Sequence, residues 1–198
     1  MADHQIAIGV ASRPYPGETV NGDAYAVHWT GTEICRIAVI DGLGHGPEAA
    51  RAGACAVAAL DERPALDPAE ALRRCHAALM GTRGAAVSIA RLDLAKGELI
   101  YAGIGNVEAH LWHGGRHERL IAYRGIVGSA MRTIRPFTLQ LGEEWAFLMH
   151  SDGISARADL EALDSQEPWE ASALAEAVLE RYSRQHDDAL ALVVLPRR

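Results

Sequence analysis

Four acidic positions stand where an apolar run meets a turn. Asp41 closes Ile37-Ala38-Val39-Ile40 and is followed by glycine at 42, 44 and 46, and Asp152 comes just after Trp145-Ala146-Phe147-Leu148-Met149. Asp23 opens Asp23-Ala24-Tyr25-Ala26-Val27, and Asp187-Asp188 precede Ala189-Leu190-Ala191-Leu192. A carboxylate followed by residues lacking a Cβ marks a place where something polar approaches the backbone closely. The glycines could cradle a phosphate, or Asp41 could hold a cation. Two of these acids lie at C-terminal strand ends and two at N-terminal ends, so antiparallel sheets would deliver all four to one rim. Carboxylates about 4 Å apart repel by about 4 kcal/mol at an effective dielectric of 20, so four together would be protonated, splayed or neutralised by metal. Donors that are all oxygen favour a hard ion, Mg²⁺ or Mn²⁺, over zinc. Asp41 is placed to bridge two ions, and Gly42, without a side chain, leaves its carbonyl free to turn towards one of them.

The elements that must position these acids follow from periodicity. Strands are expected at 6–12, 23–29, 34–40, 85–93, 98–103, 107–113, 117–122, 144–150 and 189–195. Lys96-Gly97 and His113-Gly114-Gly115-Arg116 are hairpin signals. An alanine-rich helix runs from about Pro47 to Leu60, opened by proline. A second has Asp67 as N-cap, Pro68 at N1 and Glu70 at N3 in a capping-box pattern, with Leu72, Cys75 and Leu79 facing inwards. A third, over 169–184, presents Leu174, Ala177, Val178 and Tyr182 on one stripe. Two helices after the early strands, then a meander, then a helix and a last strand is the order of an α+β layered domain.

Composition narrows the partners. The chain has 198 residues, 49% hydrophobic and 23% charged, as in ordinary globular domains. With 26 acids against 19 bases its formal charge is −7, and no basic stripe offers itself to nucleic acid or an anionic membrane. Small molecules, cations or proteins are the expected partners. Cys35, Cys55 and Cys75 form no CxxC pair and are read as thiols in a reducing cytoplasm. The N-terminus lacks the pattern of a signal peptide, and no apolar stretch reaches the length of a spanning helix.

Asn21-Gly22-Asp23, Asp41-Gly42-Leu43-Gly44-His45-Gly46, Ser151-Asp152-Gly153 and Asp187-Asp188, in this order and with these strands attached, resemble the metal-dependent serine/threonine protein phosphatases of the PPM or type 2C family. The resemblance spans about Ile6 to Leu195 and is to the small bacterial branch that includes SpoIIE, RsbU and RsbX. It implies an αββα sandwich of two mostly antiparallel sheets flanked by helices, and a single catalytic domain over 1–198 with no regulatory domain. It also implies two Mn²⁺ or Mg²⁺ ions per chain. Asp23 and the carbonyl of Gly42 would hold one ion, Asp41 would bridge, and Asp152 and Asp187 would hold the other, with Asp41 and Asp152 central to catalysis. A water between the ions would attack phosphorus in line, hydrolysing a phosphomonoester. Likeness to RsbX implies that the substrates are phosphorylated STAS-domain proteins of a bacterial stress-signalling complex, the stressosome, dephosphorylated by a cytoplasmic monomer. The alternatives are an RsbU- or SpoIIE-like role on an anti-anti-sigma factor and a non-catalytic phosphoprotein-binding module.

The sequence departs from the family at two places. Leu43 stands where many members carry a histidine two residues after the bridging acid, and no hydroxyl residue follows Asp187-Asp188; Asp188 is read as a supporting or exposed residue. Arg13 and His45 are the candidates for holding substrate. His110, His113 and His117 straddle a Gly-Gly turn and are expected to be solvated hairpin positions rather than a metal site. Gly103, Gly105 and Asn106 could approach the metal rim but are read as a bend, Trp145 and Phe147 are read as core, and the segment from Arg119 to Arg135 is either a lip for an acidic phosphoprotein or a solvated loop. A nucleotide-binding fold is the weakest reading, with Pro47 in place of the last glycine of GxGxxG and no P-loop Lys-Ser/Thr.

Overall fold

Alternation along the strands fixes which side chains meet which layer. In the computed structural model, which describes residues 5–131, 134–163 and 170–197, ten strands form two five-stranded sheets. One sheet contains β1 (Ile6–Arg13), β6 (Glu108–His113), β7 (Arg116–Leu120), β9 (Trp145–His150) and β10 (Ala189–Pro196), in the order β1-β10-β9-β6-β7. The other has the order β2-β3-β4-β5-β8, from β2 (Asp23–Thr30), β3 (Ile34–Gly42), β4 (Ala85–Asp93), β5 (Glu98–Ile104) and β8 (Phe137–Gln140). Every pairing between these strands is antiparallel.

Ile37 and Val39 of β3 meet Phe147 and Met149 of β9 and Leu192 of β10 in the core between the sheets. The alternate residues face helices. Ala38 and Ile40 pack beneath α1 (Pro47–Asp61) and α2 (Pro68–Leu79). Ala146, Leu148 and Val193 pack beneath α3 (Ala171–Tyr182), through Leu174, Ala175 and Val178. The architecture is the αββα sandwich expected from the sequence.

Both hairpins form, joining β4 to β5 and β6 to β7, with positive φ at Gly97, Gly114 and Gly115. Asp67 caps α2 by accepting from Ala69 N–H (2.9 Å) and Glu70 N–H (3.0 Å). The reciprocal half of the capping box is replaced by a bond from Arg73 to Glu70 (2.8 Å). Buried Arg36 of β3 donates to the carbonyls of Leu60 (2.6 Å) and Arg63 (2.7 Å), tying β3 to the C-terminal end of α1 and the turn after it. One strand escaped the sequence reading. β8 is four residues long, follows Pro136 and pairs only with β5, too short for an alternating pattern to register. Of the third expected helix, Trp169 lies outside the described residues.

Candidate metal centre

Asp23, the first residue of β2, and Asp41, near the end of β3, are register partners on adjacent antiparallel strands. The alternation that buries Ile37 and Val39 in the interlayer core places Asp41 on the same face, at the rim. Asp23 is 7% exposed. Burial, opposed by a hydrogen bond from Ser151 and reinforced by the charges of Asp188, Asp152 and Asp187, pushes the Asp23 carboxyl up to about 7. Burial, then the charges of Asp23, Asp152 and Asp187, pushes Asp41 up to about 9.

The facing sheet supplies the other acids. Ser151, directly after β9, donates its hydroxyl to Asp23 Oδ2 (2.5 Å) and accepts from Leu190 N–H of β10 (3.0 Å), so one side chain ties both sheets together. Asp152 accepts from Asn106 Nδ2 (2.6 Å). Asp187 is half-buried and pushed up by burial and by the charge of Asp152. The structure thus brings Asp23, Asp41, Asp152 and Asp187 together at one rim. Asp188, read from sequence as supporting or exposed, is 3% exposed and accepts from Tyr15 N–H (2.8 Å). It is buried because β10 begins one residue later and carries it inwards with Leu190 and Leu192.

Glycines shape the rim by close approach. A Cβ on Gly42 would stand 2.3 Å from the carbonyl oxygen of Ala49 in α1, and one on Gly22 2.7 Å from Asp188 Oδ2. The sequence reading gave Gly42 its role through its carbonyl; the packing of α1 against β3 is a separate reason for glycine there. Gly44 and Gly46 have φ of 84° and 75°, so these two serve backbone conformation.

Around the acids, Arg13 donates to the carbonyl of Arg184 (2.5 Å), in the segment leading to Asp187. His45 is exposed, stacks on Tyr15 with ring centroids 4.2 Å apart and bonds Glu18 (3.1 Å). Sequence reasoning gave no role to Ser151 or Tyr15, and for Asn106 it preferred a bend to an approach to the rim. The bend exists, between β5 and β6, and it delivers Asn106 to Asp152. The polar residue between glycine and the next strand was the available signal. In the Arg-rich segment Arg119 bonds Glu108, Arg124 and Arg135 are exposed, and Arg132 lies outside the described residues.

The rim fits hard cations. Its donors are carboxylates, and Asp41 Oδ2 and Asp188 Oδ2 are buried without a hydrogen-bond partner among the described residues, a cost that a cation would remove. The comparisons agree with this chemistry. Residues 32–197 match the family described as Stage II sporulation protein E (SpoIIE). The chain belongs to the SpoIIE family.

This SpoIIE-family chain is a protein phosphatase, of a fold class whose members depend on metal. A bacterial chain solved under the heading "The bacterial stressosome: a modular system that has been adapted to control secondary messenger signaling" is 31% identical, with a TM-score of 0.90, covering 96% of this chain and all of that one. RsbX in complex with magnesium is 21% identical, with a TM-score of 0.85, covering all of this chain and 98% of that one. The PP2C phosphatase domain of SpoIIE from Bacillus subtilis, solved with a fragment of its regulatory domain, is 18% identical, with a TM-score of 0.80, covering 98% of this chain and 63% of that one. The last two likenesses establish the fold. A search of curated protein sequences gave no match. Among the described residues no helix is long and apolar enough to cross a membrane.

Proposed function

We propose that this SpoIIE-family phosphatase hydrolyses phosphoserine and phosphothreonine on STAS-type proteins of a bacterial stress-signalling complex. The observation that carries the reaction is Asp41, opposite Asp23 and facing Asp152 and Asp187, with a buried oxygen that has no hydrogen-bond partner among the described residues. Two divalent ions, Mn²⁺ or Mg²⁺, would be held by Asp23, the Gly42 carbonyl, Asp41, Asp152 and Asp187. When bound, such ions lower the pKa of a water towards neutrality and offset charge on phosphoryl oxygens.

The chain's own residues keep these ligands in place. Ser151 fixes one oxygen of Asp23 and Asn106 one oxygen of Asp152, leaving the other oxygen of each for an ion. Tyr15 N–H holds Asp188 behind Gly22. Arg13 and His45 are the groups assigned to the substrate phosphate and its flanking chain. Leu43 cannot donate a proton, so protonation of the leaving alkoxide falls to solvent or to the exposed imidazole of His45. The 1–198 segment acts as one catalytic domain, soluble in the cytoplasm and monomeric.

The choice of substrate is supported by the 31% identical chain, which belongs to work on the bacterial stressosome. The test is phosphate release from purified protein with Mn²⁺, run against a panel of phosphorylated STAS proteins from stressosomes and anti-anti-sigma factors. Preference for the stressosome members is expected. Preference for anti-anti-sigma factors would move the substrate assignment, and phosphoprotein binding without turnover would leave a binding module.

A further inference from the structure

The outer face of the β1-containing sheet carries a polar cluster beside the apolar patch covered by α3. Glu108 and His110 of β6 and His150 of β9 alternate with core residues Ala109, Leu111 and Met149, so all three project from this outer face. Glu108 and His150 are register partners. His110 is 1% exposed and His150 fully buried, contrary to the expectation that His110 is a solvated hairpin position; it lies mid-strand, away from the turn. His113, half-buried and bonded to Glu118, and exposed His117 are nearer that expectation.

Two features of the imidazoles point to a ligand. His150 Nδ1 faces the carbonyl of Ser151 (2.8 Å), which makes that nitrogen the donor and leaves the Nε2 lone pair free. His110 Nδ1 faces His117 Nε2 (2.9 Å). The Nε2 atoms of both His110 and His150 are buried without a hydrogen-bond partner among the described residues. Such nitrogens are costly to leave unsatisfied. One ring nitrogen of each histidine and a carboxylate oxygen of Glu108 lie within 4.8 Å of one another. His110 Nε2 and Glu108 Oε2 are 3.4 Å apart, without hydrogen-bond geometry. That is close to the edge, about 3.4 Å, of a tetrahedron built on metal–ligand bonds of about 2.1 Å.

We propose that Glu108, His110 and His150 form a separate cation site for Zn²⁺ or another divalent ion that prefers imidazole, with water as fourth ligand. Two nitrogens and one carboxylate suit zinc, whereas the all-oxygen rim suits Mg²⁺ or Mn²⁺. The carbonyl behind His150 Nδ1 is the kind of outer partner that orients a metal-bound histidine. The entry path runs past Glu108, whose side chain is 30% exposed. The rings of His110 and His150, inclined by 24°, must turn to aim both lone pairs at one point. Arg119, bonded to Glu108 and itself largely exposed, competes with the ion for that carboxylate and must swing away. Because His150 directly precedes Ser151, an ion here would brace the strand end that positions Ser151 and Asp152. The proposal is independent of the phosphatase reading.

The test uses the full chain carrying Asp41→Asn and Asp152→Asn, which disables the rim centre. After dialysis against Zn²⁺, elemental analysis should find one zinc per chain. Co²⁺ in its place should give the visible bands of four-coordinate cobalt with nitrogen ligands. Adding Glu108→Gln or His110→Gln should weaken zinc binding at least about tenfold. Arg119→Ala should bind zinc several-fold more tightly, a gain that misfolding cannot imitate. Absence of retained zinc, or equal retention with and without Glu108→Gln in chains of unchanged circular dichroism, would overturn the site.

Discussion

Ser151 donates its hydroxyl to Asp23 across the gap between the two sheets, at 2.5 Å and across 128 positions of sequence. The same oxygen accepts from Leu190 N–H, so the bond locks β9, β10 and β2 at the rim where the acids gather. Ser151→Ala removes a bond that favours the charged form of Asp23 and leaves that N–H short of a partner. A loss of about 1–3 kcal/mol in urea unfolding is expected, together with weaker Mn²⁺ binding. Unchanged values for both would mean that Ser151 does not organise the rim.

Removal of metal addresses the centre as a whole. EDTA should abolish hydrolysis of p-nitrophenyl phosphate, and Mn²⁺ should restore it. Asp41→Asn should cost about 10³-fold in kcat/KM, since the charge stabilisation supplied by bound ions amounts to several kcal/mol. Asp188→Asn should be milder, because an amide oxygen can still accept from Tyr15 N–H. Full activity in Asp41→Asn would remove that residue from the centre.

Stability of the metal-free protein should depend on pH in an unusual direction. Asp23 and Asp41 have folded pKa values of about 7 and about 9, raised from an ordinary value of 3.8 by burial first and then by neighbouring carboxylates. Keeping them protonated stabilises the fold fully below about pH 4, and that contribution is lost as pH rises through both folded values. The Tm of EDTA-treated protein should therefore fall as pH rises from about 4 to about 9, and Mn²⁺, which favours the ionised acids, should reverse the fall. A flat profile without metal would show that the two carboxyls are not held together away from water.

Gly42→Ala tests the contact between β3 and α1. The added methyl would meet the Ala49 carbonyl at 2.3 Å, so the helix must shift or the strand end must bend. A loss of about 1–3 kcal/mol is expected from overpacking, with activity reduced as well because Asp41 is the adjacent residue. Gly17→Ala is the control for general handling of the fold, as open space surrounds that position and only its positive φ resists the change.

Much was legible in the sequence because local rules govern it. The unbroken apolar runs in Ile34–Gly42 and Ala189–Pro196, the Gly114-Gly115 turn and the Asp67-Pro68 cap each depend on a few neighbouring residues, and each formed as expected. The order of strands with an acid at the C-terminal end and at the N-terminal end was enough to place Asp23, Asp41, Asp152 and Asp187 on one rim, since antiparallel pairing relates strand ends by direction alone. What stayed hidden depends on contacts between distant segments. Asp188, turned inwards in phase with β10, meets Tyr15 and Gly22 from the far end of the chain, Asn106 reaches Asp152 from a bend, and His110 meets His150 because β6 pairs with β9 rather than only with β7. Burial and mutual approach of such side chains are set by how the sheets stack and which strands become neighbours, and no spacing along a single strand encodes that.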